Sequence, residues 1–118
     1  MKPTRHFVIF STDRPGTESL RQEHRERHRA YIRHPDANGV VAVLGGPTLD
    51  AAGQMNGTML VVVAEDEAAA RAFFASDPYV VNGLFGEVIV REWSWGLGRD
   101  ELKLLGLSGV CPAAPQRL

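Results

Sequence analysis

Two histidines and two aspartates are the side chains of this sequence best suited to proton-transfer chemistry. His24 and His28 lie one helical turn apart in the most charged run of the chain, residues 19–31 (S-L-R-Q-E-H-R-E-R-H-R-A-Y). Asp13 lies in D-R-P-G and Asp77 in D-P-Y. An imidazole titrates near neutral pH, and a carboxylate beside it orients the ring and stabilises its charged form. A histidine paired with an aspartate would therefore serve as a general acid and base.

The two histidines also raise a metal-binding alternative, because side chains four residues apart share a helix face. The run H-R-E-R-H differs from H-E-x-x-H, however, since its acid comes one place late. A third ligand would have to come from Asp13, Asp77 or His6. This thin supply of ligands favours one solvated histidine and one partly buried, hydrogen-bonded histidine, and we predict no metal.

Each aspartate also has a purely structural interpretation. Asp77 followed by Pro78 is typical of a helix start, because aspartate caps the helix and proline suits its first position. Asp13 is typical of a turn. Capping and orienting a histidine are compatible, since a carboxylate has two oxygens. Tyr31, three residues after His28, shares its predicted face and could equally be a core residue.

The helix that carries the histidines is predicted over residues 17–33, with Ser19 and Gln22 as a capping box. Four arginines recur at every fourth position along this helix. We expect them to form one solvated stripe: Arg21, Arg25, Arg29 and Arg33.

Four β-rich runs and a second helix accompany the charged helix. The strands are predicted over residues 6–11, 40–44, 58–64 and 87–95, and the second helix over residues 68–76. Gly45-Gly46-Pro47 and residues 49–57 are predicted as loops. The order predicts an α+β, ferredoxin-like βαββαβ fold, with both helices on one face of a four-stranded, mainly antiparallel sheet.

The predicted strands are apolar on both faces, although only one face would be covered by helices. An uncovered antiparallel face is ordinarily polar. The simplest cover is a second copy packed sheet to sheet, which would give a symmetric homodimer with a barrel-like centre.

Composition bounds the class of protein. The chain has 118 residues, which is the length of one domain, and its net charge of −1 does not indicate nucleic acid or an anionic membrane as a partner. No apolar run approaches the roughly 20 residues that span a bilayer, and the N-terminus lacks a signal-peptide core. The single cysteine, Cys111, excludes an intramolecular disulfide. We expect a soluble, cytoplasmic protein.

These motifs together resemble the YCII-related (YciI-like) family, over residues 5–96. None of the motifs is specific to this family when taken alone, but their order and spacing together are. They are Asp13-x-Pro15-Gly16, Arg25-x-x-His28-x-x-Tyr31, Gly45-Gly46-Pro47, Ala75-x-Asp77-Pro78-Tyr79 and Gly83-Leu84. We accordingly expect one domain over residues 1–96 and a C-terminal tail over residues 97–118, with a short helix near residues 100–105.

The resemblance implies a dimeric α-β barrel with a cleft beside the first helix. By position it implies a catalytic pair of His28 and Asp77, with Asp13 a further polar group nearby. Similar proteins include a dehydrochlorinase that acts on a chlorinated hydroxyhydroquinone, and muconolactone isomerases share the barrel. The chain differs from that pattern in its extra arginines, in His24 and in the tail.

The leading hypothesis is a cofactor-free small-molecule enzyme that isomerises, or eliminates a group from, a cyclic or aromatic-derived acid. His28 would be the general base and acid, and Asp77, or in second place Asp13, would orient it. An arginine, Arg25 or Arg27, would hold a substrate carboxylate. The residues predicted to bind substrate are Arg25, Arg27, Tyr31 and Tyr79. The alternative is a non-catalytic ligand-binding or oligomerisation module of the same fold.

Overall fold

A computed structural model of the protein describes residues 5–98, which form a four-stranded antiparallel sheet with helices on one face. The elements are β1 (Arg5–Asp13), α1 (Glu18–Ile32), β2 (Val41–Leu49), β3 (Met55–Ala64), α2 (Glu67–Ala75), α3 (Pro78–Val81) and β4 (Phe85–Trp93). The strand order is β2-β3-β1-β4, and each neighbouring pair is antiparallel. The predicted α+β, ferredoxin-like arrangement is confirmed, with α3 as an additional single turn.

The hydrophobic core lies between the sheet and the helices. Alternate residues of a strand point to the same face, so one face of the two central strands packs against α1 and α2. The fully buried members include Phe7, Ile9, Leu60, Val62, Ala70 and Phe73, together with Ile32 near the end of α1. Because the core contacts both long helices, it fixes the face that α1 presents to the sheet.

The prediction of a loop at Gly45-Gly46-Pro47 is wrong, because β2 continues through these residues. Gly45 pairs with Leu60 of β3, and a Cβ at Gly45 would lie 2.5 Å from the Leu60 side chain. A glycine therefore lets the two strands pack closely. Pro47 is tolerated because β2 is an edge strand, where a missing N–H leaves no ladder partner unsatisfied.

The connection between β2 and β3 is also shorter than predicted, since β3 already begins at Met55. The turn is closed by Asp50, whose carboxylate accepts hydrogen bonds from the backbone N–H groups of Ala52 and Gln54, both at 2.9 Å. The predicted loop over residues 49–57 thus reduces to five residues between paired strands.

Helix α1 begins one residue before the predicted capping box. Thr17 is the N-cap residue, and its hydroxyl donates a hydrogen bond to the Arg14 carbonyl oxygen instead of capping a helical N–H. Within residues 5–98, no helix is long and apolar enough to cross a membrane. The short helix predicted near residues 100–105, and Cys111, lie outside the described residues, so the boundary at residue 96 stays a prediction.

The face of the sheet opposite the helices is apolar and exposed, as the sequence predicts. Phe10, Met59 and Ile89 lie side by side on the three strands β1, β3 and β4. Their exposed fractions are 43%, 37% and 39%. The homodimer that would cover this face stays a prediction.

Candidate active site

His28 and Asp77 are in direct contact on the covered side of the sheet. His28 lies about one turn before the end of α1, and Asp77 lies immediately before α3. The ring Nδ1 is 2.9 Å from one carboxylate oxygen of Asp77 and 2.8 Å from the other. The two side chains are 6% and 0% exposed. Because an ionised carboxylate only accepts hydrogen bonds, Nδ1 carries the proton and Nε2 is left with a free lone pair when the ring is neutral.

Asp77 serves two structural roles at once. One of its carboxylate oxygens accepts a hydrogen bond from the backbone N–H of Tyr79 at 2.9 Å, so Asp77 is the N-cap of α3. Pro78 occupies the first turn, where its missing N–H has no cost. Both interpretations of the D-P-Y motif therefore describe the same carboxylate, which caps a helix and binds an imidazole.

Tyr79 packs directly against the histidine. Its ring is stacked on that of His28, with centroids 4.1 Å apart and planes 18° apart. Tyr79 is only 1% exposed. Burial raises the pKa of the Tyr79 phenol, and the charges of Arg21 and Arg25 partly oppose this effect. Tyr79 is therefore a neutral phenol near pH 7 and can donate a hydrogen bond.

Asp13 is held by Arg21 and does not contact His28. The Arg21 guanidinium donates two hydrogen bonds of 2.8 Å to the Asp13 carboxylate and a third of 2.8 Å to the Thr58 hydroxyl. Its central carbon lies 4.8 Å from the centroid of the Tyr79 ring. The carboxylate that pairs with His28 in the structure is therefore that of Asp77 and not that of Asp13.

The prediction of a solvated arginine stripe is also wrong at its N-terminal end. Arg21 is buried, and Arg25 and Arg29 are half-buried, whereas Arg33 is exposed. Residues seven apart on a helix lie almost on the same line, so Arg21 shares the inward face of His28. The repeat of arginines at every fourth residue suggested a solvated stripe. The spacing of seven residues between Arg21 and His28 could have indicated that Arg21 faces inward.

A small cavity lies beside His28, between α1 and strands β2 and β3. Its volume is about 10 Å³, which is room for one water molecule. Its polar lining comes from His28, Tyr79, Thr58 and the arginines of α1, and its apolar lining includes Met55. Sequence reasoning did not assign a role at the site to Thr58 or Met55, since each lies in an otherwise ordinary strand.

A larger opening adjoins this cavity. It has a volume of about 310 Å³ and shares Arg21, Arg25 and Met55 with the cavity. Gln22 of α1 and Gln54 of the β2–β3 turn also line it. Among the described residues, none forms an ion pair or hydrogen bond with the Arg25 side chain, so its guanidinium is available to an anionic ligand.

The lining of the cavity does not include His24, Arg27 or Tyr31. His24 is buried and its Nδ1 lies within hydrogen-bonding distance of the exposed Arg27 guanidinium. The Tyr31 hydroxyl donates a 2.8 Å hydrogen bond to the carbonyl oxygen of Phe73. Among residues 5–98, no group of three or more histidine, cysteine or acidic side chains is arranged to hold a metal ion.

The fold and the motifs define the class of protein. The sequence profile of the YCII-related domain matches residues 6–94, and the chain belongs to this family. A relative of Haemophilus influenzae, an uncharacterized protein, is 31% identical over 91 residues, which are 73% of this chain and 93% of the relative.

A solved structure adds a protein of named activity. The chain is similar to the 5-chloro-2-hydroxyhydroquinone dehydrochlorinase (TftG) of Burkholderia phenoliruptrix AC1100, solved in complex with 2,5-dihydroxybenzoquinone. The two share 33% sequence identity with a TM-score of 0.68, and the match covers 77% of this chain and 95% of the dehydrochlorinase.

Proposed function

We propose that this protein is a small-molecule enzyme in which His28 transfers a proton and Asp77 orients it. The observation that carries the proposal is the buried contact between His28 Nδ1 and both carboxylate oxygens of Asp77. This contact fixes the tautomer and leaves Nε2 as the ring atom that can accept a proton. The histidine lines the small cavity, and a ligand in the larger opening that adjoins this cavity would lie near the histidine.

The proposed reaction is an elimination or an isomerisation. In an elimination, Nε2 takes a proton from the substrate, and the electron pair of the broken bond moves into the ring. The leaving group, such as chloride, then departs with its own bonding pair. In an isomerisation, His28 returns the proton at another position. In both cases Asp77 stays ionised and stabilises the imidazolium. Neither reaction requires a cofactor.

The proposed substrate is a small, oxygen-rich ring compound with an acidic group. Arg25 would bind its carboxylate or phenolate, because this half-buried guanidinium lines both the cavity and the opening. The phenol of Tyr79 would donate a hydrogen bond to a ring oxygen. Similarity to a dehydrochlorinase solved with 2,5-dihydroxybenzoquinone supports this class. The proposed substrate-binding residues do not include Arg27 or Tyr31, because neither lines the cavity.

We also propose that a second copy covers the open face of the sheet. Phe10, Met59 and Ile89 form an apolar surface there that water would otherwise contact. Monomeric proteins rarely leave a large continuous apolar patch exposed. The site itself lies on the opposite face, so the dimer would stabilise the sheet without closing the cleft.

The test is turnover of chlorinated hydroxyhydroquinones, followed by chloride release and by the absorbance of the quinone product. His28→Gln removes the base, and we expect kcat to fall by roughly 10²- to 10⁴-fold. Asp77→Asn should cause a loss of similar order, because it removes the charge that stabilises the imidazolium. Asparagine is as good an N-cap as aspartate, so this variant keeps the start of α3.

The matched control is His24→Gln, which changes a buried histidine one turn away on the same helix but outside the cavity lining. It should keep kcat within about threefold. Binding without turnover in the unaltered protein would support the non-catalytic module instead. Turnover that survives both His28→Gln and Asp77→Asn would rule out the proposed pair.

A further inference from the structure

We propose that the ion pair of Asp13 and Arg21 is a charge-balanced support that holds Tyr79 against His28 and sets how readily His28 takes up a proton. In this view neither residue is catalytic. Both are positioning residues, and Asp13 acts by neutralising Arg21. The inference rests on the proposed function of His28, but its test needs no substrate.

The geometry shows why Arg21 is rigid. Its guanidinium forms a bidentate pair with Asp13 and a further hydrogen bond to Thr58 of β3, all at 2.8 Å. The ionic side chains of the pair are only 7% and 10% exposed. A buried arginine with three hydrogen bonds to two different strands has no freedom to move away from the ring it contacts.

That ring is Tyr79, which is shared between Arg21 and His28. The Arg21 carbon is 4.8 Å from the Tyr79 centroid, and the His28 centroid is 4.1 Å from the same point. Protonation of His28 would therefore place two cations against one phenol ring. The negative charge of Asp13 offsets one of them, so the pair as a whole presents almost no net charge to His28.

The other charged or titratable groups around His28 are few. Asp77 and Tyr79 face it from the segment before and within α3, and Arg25 and Arg29 line the same cavity from α1. The lining residues from β2 and β3 carry no charge. Altering Asp13 or Arg21 therefore changes one identifiable charge without touching the carboxylate that binds His28.

The inference predicts shifts of opposite sign. Asp13→Asn leaves the Arg21 cation unbalanced and disfavours the imidazolium, so the midpoint of the His28 titration should fall by roughly half a pH unit to one unit. Arg21→Gln leaves the Asp13 carboxylate unbalanced and should raise the midpoint by a similar amount. The double variant restores neutrality and should titrate within about 0.3 units of the unaltered protein.

The experiment is an NMR titration of the imidazole side chains, with the His28 signal assigned by its loss in His28→Gln. Each variant is titrated where its amide spectrum shows a folded chain. Arg21→Lys is the second variant: it keeps the charge while losing the bidentate geometry, so its midpoint should move less than that of Arg21→Gln. Arg5→Gln, which breaks an exposed ion pair with Glu92, is the control and should not move the signal.

Shifts of the same sign in Asp13→Asn and Arg21→Gln, or no shift in either, would overturn the inference, because a purely structural role does not reverse sign with charge. The result is separable from that of the proposed function. A protein without turnover whose His28 midpoint moves as predicted would retain the charge-balanced support and lose only the assigned reaction.

Discussion

Each face of the sheet carries some side chains that its environment would not suggest. The face covered by helices holds buried charged and titratable side chains beside its apolar core, among them Asp77, Arg21 and His28. The face without helices shows large apolar side chains such as Phe10 and Ile89 to solvent. Ordinarily, charges would face water and apolar groups would be covered. Each face therefore gives up stability, and the reason differs between them.

On the covered face the charges are matched by partners. Among the described residues, no buried side-chain nitrogen or oxygen lacks a hydrogen-bond partner. Buried ion pairs contribute little net stability, although removing one partner is costly. On the open face, by contrast, exposed apolar area has no local compensation, which is what an interface with a second copy would supply.

The largest effect expected from this comparison is on stability. Asp13→Ala removes the carboxylate that pairs with the buried Arg21 guanidinium. We expect a loss of roughly 3 to 5 kcal/mol in the free energy of unfolding. Glu92→Ala breaks the exposed pair with Arg5, whose side chains are about half exposed, and should change stability very little. Urea denaturation of both variants measures the difference. Equal losses would contradict the distinction between a buried and an exposed ion pair.

The next effect concerns assembly. Ile89→Glu places a charge within the proposed interface, and we expect the dimer to weaken by about 100-fold or more, since an unpaired buried charge costs several kcal/mol. Light scattering at micromolar concentration should give a mass twice 12.9 kDa for the unaltered protein and close to 12.9 kDa for the variant. Arg71→Glu, on the exposed side of α2, is the control and should remain dimeric. A mass near 12.9 kDa for the unaltered chain would refute the dimer.

The smallest expected effect is a loss of stability at alkaline pH, which is caused by two tyrosines on the covered face of the sheet. Burial raises the pKa of Tyr79 and of Tyr31 above the ordinary value near 10, so the folded chain keeps phenol protons that the unfolded chain releases. This contribution is complete below about pH 10 and is lost as the pH rises further. Denaturation at pH 9 and pH 11 should therefore show a smaller pH-dependent loss in Tyr79→Phe than in the unaltered protein. An identical loss would show that Tyr79 ionises freely.

The sequence was sufficient for the overall fold because element order and right-handed crossovers leave few arrangements. It was sufficient for the contact between His28 and Asp77 only through the family motifs, since 49 residues separate the two. Local patterns failed where distant residues decide the outcome. Arg21 is buried because Asp13 and Thr58 meet it in space, and no repeat within α1 encodes those partners.

The error at Gly45-Gly46-Pro47 has the same origin. These residues are typical of a turn when read alone. Pairing with β3 overrides that preference, because Gly45 fits closely over Leu60 and Pro47 lies on an edge strand. Tertiary contacts therefore extended β2 into one wall of the cavity, a wall that local sequence preference could not predict.

The central claim is that a small, acidic ring compound binds in the larger opening that adjoins the cavity beside His28. The direct measurement is an NMR titration with 2,5-dihydroxybenzoquinone, the compound bound to the similar dehydrochlorinase. The account predicts saturable shifts of the His28 ring and of Tyr79, weakened at least tenfold in Arg25→Gln. Saturable binding that leaves both rings unperturbed, or no binding at millimolar ligand, would contradict it.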